Sequence, residues 1–571
     1  MQRNKLLKNV ISWGLALSCV CASPTIEALK FESDSGDIHG SFDNTISYGL
    51  GMRTQRQDPR IIGVGNGGTF LSLNEDDGNL NYDQWDLYSN AIKSVHELEV
   101  NKDEFGLFLR GIALYDIEIM HGDTRRTALG PIAESRMGKD LSLLDAYITY
   151  TGDTEKDKPF TLRIGNQVLN WGESTFIQNG INSMMPLDVS RLRVAGAELR
   201  EAFLPVWMAF IDYGISEKIS IGGFCQFSWR ETRIEPKGTF FSTNDYVSPD
   251  GTYVMVSPTG DDTQSCADTL CAMGGGAGIF GQSANRGEDV SGSDRGNFGV
   301  NLRYYEPDLN ETEFGLYFLQ YSSRLPVVSG YKGNAIPILG PGAYIPDSYY
   351  FVEYPDDIHL LGLSFNTMLG KIALQGEYSL KIDQPLQISG YEIILAVLGS
   401  ASPVSQLGAF PDASEITGFR RKTVSQMQFT ATKMFGPCGV MSSSAILAEV
   451  GAMYIHGFPD QSTLRFDGPG TIGSGGQGYA TRFSGGYNLV LLGTFDKVNA
   501  QTYIAFAHDV SGRSPLPLSN FVKNRKSITL SGEIRRHALS WKATFSHFFS
   551  GGTHNLLRDR DHITLSSTVS F

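Results

Sequence analysis

Apolar and polar residues take turns along most of this chain, and the alternation runs to its last residue. In DHITLSSTVSF, Ile563, Leu565, Val569 and Phe571 fall on one side, while His562, Thr564, Ser566, Thr568 and Ser570 fall on the other. Successive side chains of a strand point to opposite faces, so this segment predicts a strand with one apolar and one polar face. The pattern recurs upstream. EFGLFLRGIALYDI puts Phe105, Leu107, Leu109, Ala113 and Tyr115 opposite Glu104, Arg110 and Asp116. KISIGGFCQFSWR puts Ile219, Ile221, Cys225, Phe227 and Trp229 opposite Ser220, Gln226, Ser228 and Arg230. KIALQGEYSLKI puts Ile372, Leu374, Tyr378, Leu380 and Ile382 opposite Gln375, Glu377, Ser379 and Lys381.

About 18 strands follow, near 40–54, 89–101, 104–118, 140–151, 159–169, 206–215, 218–230, 296–306, 311–323, 357–367, 370–382, 420–435, 442–456, 479–495, 499–510, 525–536, 538–548 and 561–571. A soluble sandwich shows the same alternation, so the connections decide. NKD, SEK, PDLNE, DKVN and RRH are short and each follows an even-numbered strand. Segments 55–88, 170–205, 231–295, 324–356 and 383–419 are long and each follows an odd-numbered one. Short turns on one rim, long loops on the other and an even strand count are the pattern of an outer-membrane barrel. The fold class expected is all-β: one transmembrane antiparallel β-barrel over 29–571. Phe571 then ends the closing strand at the periplasmic rim, as an aromatic for the barrel-assembly machinery to read.

Composition agrees. Glycine is abundant (64 residues), aromatics reach 11% and charged residues only 19%; mean hydropathy is -0.15. These values oppose a helical membrane protein and suit strands that are half apolar. The only run resembling a span, EIILAVLGSA, is about half of what a spanning helix needs. MQRNKLLKN followed by VISWGLALSCVCA reads as an export signal for the Sec pathway, with cleavage after Ala22 or, preferred, Ala28, so that 1–28 is the signal peptide. The residues before Cys19 and Cys21 suit lipid attachment poorly. Cleavage after Ala22 removes Arg3, Lys5 and Lys8 and takes the formal charge from -14 to -17, which opposes nucleic-acid binding. Of the remaining cysteines, Cys266 and Cys271 stand close enough in SCADTLCAMGGG to suggest a local disulfide in an exported protein. Cys225 is expected on the lipid-side face and Cys438 in a periplasmic turn.

The stretch 163–206 is too long and too charged for a plain connector. Glu173, Asp188, Arg191, Arg193, Glu198, Arg200 and Glu201 lie in it, with a short helix around AGAELREAF. Irregular backbone at membrane depth is tolerated where it lines a cavity, so 170–205 is expected to fold inward and narrow the barrel. The wall charges expected around it are Arg110, Asp116, Arg163, Arg230, Glu377, Lys381 and Glu449. They either set a field across the pore or merely keep a wet wall solvated.

Several words resemble a family of Gram-negative outer-membrane proteins classed as domain-of-unknown-function family 1302: NWGEST (170–175), GTFFSTNDYV (238–247), SSRLPV (322–327), LGLSFNTMLG (361–370), QPLQISG (384–390), FAHDVSG (506–512) and NLLRDRD (555–561). Asn166, Ala195 and Lys237 depart from residues common there (Arg, Pro and Cys), and the last departure bears on the usual disulfide pattern. The resemblance implies an outer-membrane barrel for hydrophobic or lipid-like cargo, with periplasmic lipoprotein-like partners and RND-type exporters. It implies no catalytic residues.

The residues themselves offer no enzyme. His508 and Asp509 are adjacent on one strand and point apart; His547 and His562 could both face the lumen. No G-x-S-x-G, H-E-x-x-H or P-loop occurs, and neither a cofactor nor a metal site is expected. GPGAYIPDSYYFVEYP and SPLPLSNF make the loops greasy, which suits capture of an apolar molecule, contact with lipopolysaccharide, or packing of loop on loop. The function expected is an outer-membrane channel for small or lipid-like molecules among outer-membrane lipids. The alternative is a non-conducting docking component of an export machine.

Overall fold

Each alternating segment forms a strand in the computed structural model, which describes residues 29–154, 158–260, 262, 283–334, 348–398, 405–471 and 477–571. In chain order they are β1 (Ile38–Arg53), β2 (Leu87–Lys102), β3 (Phe105–Asp116), β4 (Lys139–Asp153), β5 (Pro159–Gln167), β6 (Val206–Ser216), β7 (Ile219–Gln226), β8 (Phe298–Glu306), β9 (Thr312–Tyr321), β10 (Ile358–Leu369), β11 (Ile372–Gln387), β12 (Phe419–Phe435), β13 (Ser443–Ile455), β14 (Phe483–Phe495), β15 (Ala500–Ser511), β16 (Arg525–Arg536), β17 (Leu539–Ser550) and β18 (His562–Ser570). Each pairs antiparallel with the next. β18 returns to β1 in a register from Thr45↔Ser570 to Arg53↔His562, which closes the sheet. Phe571 adds the last rung, donating from its N–H to Asn44 O at 2.9 Å and accepting from Asn44 N at 2.6 Å.

The apolar face points out. Leu316 is 50%, Leu363 54%, Val450 55% and Ile534 54% exposed, whereas their strand neighbours of opposite parity, such as Glu377, Ser379 and Glu449, are buried inside. A closed sheet, whose strands satisfy one another's backbone, with an apolar outer belt is what spans a membrane. The chain is therefore an outer-membrane β-barrel. Short turns and both ends of the barrel sequence share one rim; the other rim carries the long loops.

Those loops fold over the mouth. Tyr253–Met255, Ser283–Arg286, Val327–Lys332, Tyr349–Glu353 and Ser414–Ile416, drawn from three loops, form a second five-stranded sheet. The helix α1 (Gly390–Val397) packs on it. Tyr350, Ile393, Val397, Ile416, Leu518 and Phe521 meet in one buried core. The described greasy loop residues are thus mainly packed on one another, because a cap this size needs its own core to hold its backbone in place.

Two local readings are corrected, and one irregularity of the wall is new. β7 ends at Gln226, not near residue 230, because Trp229 N–H turns to Asp294 (2.6 Å) and Arg230 leaves the wall. A bulge in β4 lets Leu109 oppose Ala146 while Gly111 opposes Leu143; the extra residue reverses parity and turns Asp145 inward to meet Arg110. His547 points outward, stacked on Phe549, so it does not share the lumen with the buried His562.

Cys225 lies exposed on the outward face of β7 and Cys438 lies exposed in the short turn after β12. Cys266, Cys271 and residues 1–28 lie outside the described residues. With Cys266 and Cys271 replaced by serine, a polar, impermeant maleimide should spare both thiols on intact cells. It should label Cys438 once the outer membrane is permeabilised, and Cys225 should yield only to a lipid-soluble reagent. Labelling of Cys438 on intact cells would invert the rims.

Candidate functional site

Residues 168–205 leave β5, cross the lumen and return at β6 in two arms. The first begins at Trp171, whose ring meets Phe224 of β7 (5.0 Å) and Tyr317 of β9 (5.8 Å). It then reaches the far wall, where two lumen-facing carboxylates hold its backbone. Glu377 accepts from Glu173 N (2.7 Å) and Ile181 N (3.0 Å). Glu449 accepts from Thr175 N (3.0 Å), Phe176 N (3.0 Å) and Ile177 N (2.9 Å). Lys381 Nζ donates to Asn179 O at 2.6 Å, and Gln426 Nε2 to Gln178 O at 2.7 Å. This is a latch made of wall side chains and segment main chain. Gly172 (φ +88°) and Gly180 lie so close to the Glu377 carboxylate that a Cβ at either would collide with it. The glycines in NWGEST and QNGIN are what let the carboxylate reach backbone.

The second arm lines the opposite wall. Arg191 pairs with Asp140 of β4. Lys93 of β2 donates to Gly196 O (2.9 Å) and pairs with Glu201 (2.6 Å). Arg200 bridges Glu198 and Glu97, both at 2.7 Å. Its one-turn helix, Leu199–Ala202, stands where a short helix was expected.

The expected wall charges do not form free rows. Arg110 is paired with Glu97 (2.6 Å) and Asp145 (3.0 Å). Arg163 lies over the Tyr147 and Phe210 rings at 5.6 and 4.7 Å. Asp116 faces inward but is buried as a helix cap, accepting from Glu118 N (2.9 Å) and Ile119 N (3.2 Å). Asp188 is fully buried and accepts from Arg191 N (3.0 Å) and Arg233 (3.3 Å). Arg230, above the wall, donates to Pro205 O at 3.1 Å. Arg193 lines a lumen cavity, paired with Glu235 at 3.3 Å and set over the Phe241 ring at 4.5 Å, while Glu198 and Arg200 are partly exposed.

The two arms leave β14–β17 bare, and there lies a cavity of about 590 Å³. Phe176, Ile177, Leu518 and Phe521 give it apolar surface; Gln178, Asn179, Thr243 and Asn520 give it hydrogen-bonding groups. Its Asp509 and Arg525 pair at 2.6 Å. At its edge the Asp467 carboxyl accepts from Gly390 N (2.7 Å), and burial pushes it up to about 7. Below, the bare wall is hydroxyl-lined: Thr529 meets Ser546 (3.1 Å) and Ser531 meets Thr544 (3.0 Å). Thr564, Ser566 and Thr568 of β18 continue it. Sequence reasoning passed over Gln178, Asn179, Gln426 and Asn520; the lumen-facing pair Gln426 and Gln428 in SQMQF, spaced by two, was the available signal.

The family described as Protein of unknown function (DUF1302) matches residues 9–571. No curated protein matches the chain. Among solved structures, Acinetobacter baumannii OccAB1 is similar at 9% identity over 95% of this chain and 98% of that one, with a TM-score of 0.41. Pseudomonas aeruginosa OpdK with vanillate gives 9% identity, 93% and 98% coverage and a TM-score of 0.41. The outer membrane channel DcaP of A. baumannii gives 7% identity, 95% and 99% coverage and a TM-score of 0.34. Likenesses this distant carry no argument about cargo.

Proposed function

This chain belongs to the DUF1302 family, and from that premise we propose that it is an outer-membrane channel for small amphipathic molecules. The observation that carries the reading is the cavity between the latched segment and the β14–β17 wall. Its lining mixes apolar and uncharged polar groups; Asp509 pairs with Arg525 and Arg193 with Glu235, Asp467 is held by Gly390 N, and Lys526 is the one lining charge without an ion pair among the described residues. Paired charges hold no strong field for an ionic solute. A largely apolar site with a few convergent hydrogen-bonding groups instead suits a molecule with a greasy body and a polar end. The hydroxyl wall below offers such a molecule successive weak partners, which favours passage over retention.

The test is reconstitution. The purified barrel in a planar bilayer should give discrete openings, and liposomes containing it should admit a neutral aromatic alcohol faster than a sugar of similar mass or a tricarboxylate. A silent barrel, or one that prefers the tricarboxylate, would overturn the reading.

A further inference from the structure

On the long-loop rim, beside the lumen cavity and sharing Lys526 with it, lies a second concavity of about 520 Å³. Arg513, Lys523, Lys526, Asn524, His554 and the Gly551–Gly552 backbone line it, and among the described residues no carboxylate does. Among the described residues none of its three cations makes an ion pair, and the buried Arg513 Nε has no hydrogen-bond partner. That is unusual for this protein, whose lumen and cap cations are mostly matched with carboxylates.

The position gives the pocket its meaning. Strand parity puts Lys526 on the outward face of β16, in line with Ile528, Leu530 and Ile534, of which Leu530 is 41% and Ile534 54% exposed. Its cross-strand partners are His508 and Phe549. One step down, Ile528 lies between Phe506 and His547; another step down, Leu530 lies between Ile504 and Phe545. Lys526 therefore heads an outward column that is ring-rich beside the pocket and mixed aliphatic and aromatic below, as where a barrel passes from headgroups to acyl chains. We infer that this pocket holds the phosphate of a phosphorylated lipid in the outer leaflet, with its acyl chains lying down the Ile528–Leu530 column. Phosphate oxygens are strong acceptors for lysine and arginine, and the absence of a lining carboxylate leaves these donors to them. Free phosphate shares the headgroup chemistry but not the column.

The probe is diphosphoryl lipid A, titrated onto the full-length barrel in detergent and read by native mass spectrometry. The Arg513→Ser/Lys523→Gln/Lys526→Gln variant should bind it about tenfold more weakly or worse. A Lys433→Gln/Arg536→Gln variant, changed at the short-turn rim, should bind as wild type. Inorganic phosphate at equal concentration should leave lipid A in place. Wild-type binding by the triple variant, or equal loss in the control, would overturn the site. Displacement by inorganic phosphate would overturn the lipid as its occupant. If the triple variant loses its heat-shifted gel band, Lys526→Gln alone should still weaken binding several-fold, and wild-type binding by that variant would also overturn the site.

Discussion

Channels carrying Glu377→Ala together with Glu449→Ala should pass several-fold more current per opening than the wild type, with weaker discrimination among solutes. The two carboxylates take five backbone N–H groups of residues 173–181 between them. Hydrogen bonds to a charged acceptor contribute roughly 1.5–3 kcal/mol each, so removing both acceptors outweighs the remaining contacts of Lys381 and Gln426. The freed arm should leave the far wall and widen the path at its narrowest part. Each single variant should show a smaller change. Arg110→Ala, which touches β2 and β4 but not the segment, should leave conductance near wild type. Unaltered conductance in a double variant that still migrates as a folded barrel would mean that the arm does not bound the path.

The largest expected loss of stability is at the seam. Asp559 in the loop before β18 pairs with Arg53 at the end of β1 (3.1 Å) and with Arg560 (2.8 Å), and all three side chains are almost wholly buried. Arg53 also donates to Asn79 O (3.0 Å) and Tyr82 O (2.8 Å), while the Arg53 and Arg560 guanidiniums flank the Phe240 ring at 5.8 and 5.7 Å. Asp559→Ala leaves two guanidiniums without their anion, a change that costs about 3–5 kcal/mol when an ion pair is buried. In urea, the variant in detergent should unfold at clearly lower concentration than wild type, whereas Asp460→Ala, at an exposed loop position, should not. A midpoint within error of wild type would show that water reaches the seam.

How far the fold could be read in advance depended on period. The strands are legible because a barrel imposes strict alternation, one face to lipid and one to water, and the closing strand shows it undiluted. The reading slipped at Arg230, where the strand has already ended; the β4 bulge, which turns Asp145 inward, breaks the alternation at a place where no face had been assigned. The cap was not legible. Its strands come from three loops and its core joins Tyr350, Ile393 and Phe521, contacts with no local periodicity. The inward segment was half legible. Its length and mixed charge pointed into the lumen, but the charges mark the second arm. The first arm is held through main-chain N–H groups, which every residue but proline has. Only Gly172 and Gly180, spaced to admit Glu377, hinted at where the contact falls.

The central claim is that residues 170–181 lie across the lumen against the far wall. Thr175 Oγ1 and Thr430 Oγ1 are 3.1 Å apart there, one on the segment and one on β12. With the native cysteines replaced by serine, Thr175→Cys/Thr430→Cys should form a disulfide during export without added oxidant. Peptide mapping of the unreduced protein should recover the bridge, and reduction should release it. Two free thiols at these positions in the folded barrel, each fully alkylated and unbridged, would contradict the account.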